Sequence, residues 1–151
     1  MNNVRLVLAI AVAAVLTGCD SGPKSGKGFT LPEGDADRGL AVFKQLRCYD
    51  CHSVAGVDLP EAEEPDQTVV ALGGEVTRIQ TYGELVTSII NPSHRLARGY
   101  AVEEIASEEG ESEMKNYNDV MTVSELIDLV TFLQSHYSLR EYEITRYPLY
   151  Y

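Results

Sequence analysis

Cysteine is scarce: the 151 residues contain three, at positions 19, 48 and 51. The lack of a second cysteine pair counts against a closed zinc site, which needs four ligands. Strand signals are scarce too. The short apolar stretch Thr68 to Leu72 ends in the turn signal Gly73-Gly74, and no βαβ pattern accompanies the cysteines, which counts against a thioredoxin-like dithiol. Basic residues are few, with 12 Lys and Arg against 23 Asp and Glu and a net charge of −11. Nucleic acid and anionic lipid surfaces are poor partners for so acidic a chain. No internal repeat or long low-complexity run interrupts the region after Gly34.

What is present begins with an export signal. Arg5 precedes an apolar run from Leu6 to Leu16 and then small residues, the layout of a secretory signal peptide, and the run is too short to span a bilayer comfortably. It ends in Leu16-Thr17-Gly18-Cys19, which resembles the lipobox of bacterial lipoproteins. The expectation is cleavage after residue 18 and lipidation of Cys19. Asp20 resembles the retention signal of inner-membrane lipoproteins in enteric bacteria. These features predict a periplasmic protein anchored by lipid to the inner membrane. Residues 19–34, rich in Gly, Ser, Lys and Pro, read as a flexible tether. Residues 35–138 then form one domain, with a Tyr-rich extension over 139–151.

The chemistry concentrates in Cys48-Tyr49-Asp50-Cys51-His52. Two thiols three positions apart with histidine directly after match the attachment signature of a c-type haem. Each thiol can add across one vinyl group of the ring, and the adjacent imidazole can then bind the iron as the proximal ligand. A redox dithiol and half of a zinc site are the alternatives for the cysteine pair. Haem attachment uses Cys48 and Cys51 and lipidation uses Cys19, so no thiol is left over for a disulfide.

Three amphipathic helices are predicted around the motif. Asp35 caps the first, which runs to about Leu46 with Leu40, Phe43 and Leu46 at helical spacing. Thr81-Tyr82-Gly83-Glu84 is a capping-box pattern opening a second helix, stopped by Asn91-Pro92. Thr122-Val123-Ser124-Glu125 opens the third and longest, with Leu126, Leu129, Val130, Leu133 and Tyr137 along one face. The predicted fold class is all-α, three main helices around one covalent haem.

In this order the chain resembles a class I monohaem cytochrome c over roughly residues 35–137. In that family the first and last helices cross, and Gly39, Phe43, Leu129, Phe132 and Leu133 match the crossing positions. Met114-Lys115-Asn116-Tyr117, followed by Met121-Thr122 and the last helix, is similar to the family's run from axial methionine into its final helix. The resemblance implies that Met114 is the distal iron ligand opposite His52. Met121 and His94 are the alternatives. Met121 matches a position that packs on the ring, and His94 would give a bis-histidine haem. His136 has no assigned role. Two positions depart from the family. Lys115 stands where proline usually follows the methionine, and no glycine-proline follows His52 to support its second nitrogen. Pro60 is the nearest candidate, and a backbone carbonyl elsewhere would serve equally.

The acids cluster over Asp58 to Asp66 and Glu103 to Glu113, the second group directly before Met114. They make either a solvated face or a patch that steers a basic redox protein. Arg78, Arg95 and Arg98 are candidates for the neighbourhood of the haem propionates. The expected activity is single-electron transfer between redox proteins, with no small-molecule substrate and no enzymatic site. The main alternative is a haem c subunit docked permanently in a multisubunit oxidoreductase through the tyrosine-rich tail, and another is an open iron site for gas sensing or catalysis.

Overall fold

The computed structural model describes residues 28–63, 67–78 and 80–141. The expected signal peptide, the expected lipidation site at Cys19 and the tyrosines beyond residue 141 lie outside the described residues. Every element described here belongs to one compact unit that begins at Leu31.

Helix α1 spans Ala36–Gln45, and the Asp35 side chain accepts the Arg38 amide at 2.9 Å, satisfying one of the amides a helix start leaves without a partner. It ends because Arg47 adopts a left-handed conformation, φ 58°. That turn delivers the chain into a 3-10 turn, Cys48–Asp50. Helix α2, Tyr82–Ile90, and helix α4, Val123–Ser135, both start with complete capping boxes, Thr81 with Glu84 and Thr122 with Glu125. Helix α3, Val102–Ile105, is one turn long, and Pro92–His94 is a second 3-10 turn.

Helices α1 and α4 form the main packing contact, with α2 against α4. They cross at Gly39, where a Cβ would fall on the Asp128 carbonyl oxygen and 2.6 Å from Phe132 Cβ. Only a glycine lets the two backbones approach so closely. Phe43 and Phe132 stack beside it in a tilted pair with ring centroids 5.7 Å apart. Leu129, Val130 and Leu133 from α4 and Leu85, Val86 and Ile89 from α2 complete the core.

The all-α expectation is corrected by four strands. Strand β1, His52–Val54, pairs in parallel with β2, Val70–Leu72; β3, Gly74–Val76, pairs in parallel with β4, Tyr137–Leu139. The fold is mixed: four helices and two small parallel sheets among the described residues. Each strand is three residues long, too short for an alternating pattern to show in sequence, and its partner is distant along the chain. The Gly73-Gly74 signal does mark a turn, with φ 77° and 83°, and it separates β2 from β3. A side chain at Gly73 would press on the His136 carbonyl, 2.9 Å from the ideal Cβ, so strain and crowding both require glycine there.

Candidate haem-binding site

The site is assembled from the loop after α1, the β1–β2 pair and the segment before α4. Arg47 sets its entrance. Its guanidinium grips Asp50 through two bonds, Nε to Oδ2 at 2.9 Å and Nη2 to Oδ1 at 3.0 Å, and also reaches Glu63. These bonds hold the Asp50 carboxyl below the usual carboxylate range. The same side chain lies over the Tyr49 ring, 5.7 Å from its centroid. Together these contacts brace the loop in which Cys48 and Cys51 sit.

Both cysteines are half-buried thiols. Burial pushes the Cys48 thiol up to about 11, so at neutral pH it is the protonated form. His52 opens β1, in register with Val70. The Val70 amide donates to the Cys51 carbonyl at 2.8 Å, and the Val70 carbonyl lies 3.1 Å from His52 Nδ1. A carbonyl can only accept, so Nδ1 carries the proton and Nε2 keeps the ring's lone pair. Burial lowers the His52 pKa, which favours the neutral imidazole that binds iron. The carbonyl supporting the ring is therefore that of Val70 and not of Pro60; its signal was present only as the weak strand pattern ending at Leu72.

Two cavities meet at these residues, one of about 690 Å³ and one of about 410 Å³. Cys51, His52 and Met114 line both, and Cys48 lines the smaller. Met114 reaches them at the end of a short hairpin closed by the Ala106–Ser112 bridge, where its amide donates to Ser112 Oγ at 3.2 Å. The larger cavity has apolar walls from Val70, Leu72, Leu85, Leu96 and Ile105. Tyr117 lines the smaller one and donates its hydroxyl to the Leu46 carbonyl at 3.1 Å, tying the segment after Met114 to the end of α1.

No family model, curated protein or solved structure matches this chain. The resemblance to class I cytochromes c thus rests on the sequence motifs alone.

The alternative ligands fall elsewhere. His94 is exposed, lines neither cavity, and its Nδ1 lies 2.8 Å from the Asn91 carbonyl. Met121 packs against the hydrophobic core. His136 closes α4, with Nδ1 2.8 Å from the Phe132 carbonyl and its ring on Phe132. The residues fit a covalent haem: two thiols at the attachment spacing, an imidazole oriented by Val70, a thioether on the same cavities, and an apolar wall. Sequence reasoning missed Arg47, which depends on a left-handed turn, and named Tyr117 only within the run after Met114, without its contact to Leu46. Among the described residues no helix is long and apolar enough to cross a membrane.

Proposed function

We propose that the protein is a single-electron carrier holding one c-type haem through Cys48 and Cys51, with His52 and Met114 as the axial iron ligands. The observation that carries this reading is that Cys51, His52 and Met114 line the same two cavities although Met114 lies far along the chain. A bound haem would supply a reversible ferric–ferrous couple.

The chain's own residues do the rest. Cys48 and Cys51 fix the ring's position covalently. The Val70 carbonyl orients the His52 ring so that Nε2 would be the atom free to hold the iron, and burial lowers the imidazole's pKa. The neutral thioether of Met114 favours a higher potential than a second histidine would. Leu85, Leu96 and Ile105 limit water at the ring. His52 and Met114, which line the same cavities, would both be available to hold the iron and would leave no place there for a substrate. Export and lipidation at Cys19 would place the carrier at the periplasmic face of the inner membrane, and its acidic surface suits a basic redox partner.

The test is acid–organic extraction of the exported protein. A haem that stays with the chain, and is released when Cys48 and Cys51 are both changed to Ser, supports the reading. A chain without haem, or one from which it extracts freely, overturns it.

A further inference from the structure

The larger cavity carries positive charge that the haem-attachment residues do not use. Arg78, Arg95 and Arg98 line it, in a chain with 12 basic residues against 23 acidic ones. Glu84 holds two of them: its Oε1 is 2.6 Å from Arg78 Nη2 and 3.8 Å from Arg95 Nη2. Its Oε2 is tied down by the Thr81 amide at 3.1 Å, so the helix cap anchors the carboxylate. One carboxylate therefore faces two guanidiniums. Arg98 makes no ion pair among the described residues. Glu75, Glu104 and Glu113 also line the cavity, yet none lies within 4.0 Å of these three arginines, and Glu75 faces Arg140 at 3.9 Å.

A carboxylate brought against an apolar wall needs a fixed counter-charge, and a guanidinium offers it in paired hydrogen bonds. We propose that Arg78, Arg95 and Arg98 form the binding site for the two ring carboxylates of the haem, which rests on the haem reading above. The apolar wall of Leu85, Leu96 and Ile105 takes the ring, and the arginines neutralise its charged edge.

The experiment measures the reduction potential of the haem-loaded protein with Arg95→Gln, Arg98→Gln, Arg98→Lys and, as a control for charge alone, Lys44→Gln on exposed α1. Removing a cation beside the carboxylates strengthens the negative field at the iron and favours the ferric form. The expected result is a downward shift in Arg95→Gln and Arg98→Gln, a smaller one in Arg98→Lys, and little change in Lys44→Gln. Shifts no larger than that of Lys44→Gln, with haem still covalently attached, overturn this proposal and leave the carrier reading standing. Absence of covalent haem overturns both. Replacing chloride by phosphate at fixed ionic strength should leave the wild-type potential unchanged; a shift shows arginines open to solution anions and also overturns the assignment.

Discussion

Gly39 shows most directly how a single position shapes this fold. Its missing side chain is the space occupied by the Asp128 carbonyl and Phe132 Cβ, so Gly39→Ala must push α1 and α4 apart. Overpacking of this kind costs about 1–3 kcal/mol. Urea unfolding of the variant should show that loss, and a loss under about 0.5 kcal/mol would mean the helices do not cross so closely. Gly39 was legible only through the family resemblance, in which a glycine and an aromatic on the first helix meet the last one. Cys48, Cys51 and His52 were legible for a simpler reason, because their chemistry depends on spacing along one short stretch. The carbonyl beside His52 was not, because Val70 reaches it through the register of two strands rather than through a local motif.

At the scale of elements, α1 and α4 are joined by a charged clamp at one edge of their interface. Asp128, a buried carboxylate, accepts Arg38 Nε at 2.7 Å, Arg38 Nη2 at 3.0 Å and the Asp35 amide at 2.7 Å. These bonds, Arg38's first, hold its pKa below the usual carboxylate range. The stability they contribute is present above the unfolded-state pKa and is lost as pH falls through the lower folded one. Thermal melting across the acid range should therefore show Asp128→Asn well below wild type at neutral pH, with the gap closing as the pH drops. A gap independent of pH would contradict the clamp. Helix capping gives a second prediction: Thr122→Ala removes the acceptor for the Glu125 amide at the start of α4 and should lower stability by about 1 kcal/mol. A variant as stable as wild type in urea would show the box to be idle. Both capping boxes were legible because four consecutive residues define each one. Of the strands only β2 left a trace, the apolar stretch ending at Leu72, because each is three residues long and pairs with a segment distant along the chain.

Across the molecule, arginines, an imidazole and a thioether line one cavity of a chain with 23 acidic and 12 basic residues. The hairpin leading to Met114 carries exposed Glu108, Glu109 and Glu111. Under the proposed function, electron exchange with a basic partner should slow steeply as salt rises, because exposed charges separated by more than about 10 Å are screened at roughly 0.1 M ionic strength. Stopped-flow oxidation across a salt series checks this, and a rate indifferent to salt would leave the acids as a solvated face. The union of His52 with Met114 was readable only as a family resemblance, since no local pattern fixes where so distant a methionine lands. That union is the central claim, and the absorption spectrum of the ferric protein tests it most directly. A weak far-red band that reports methionine sulfur on ferric haem should be present in the wild type and absent in Met114→Ala, with the covalent haem retained in both. A wild-type spectrum without the band, or a band that survives in Met114→Ala, would contradict it.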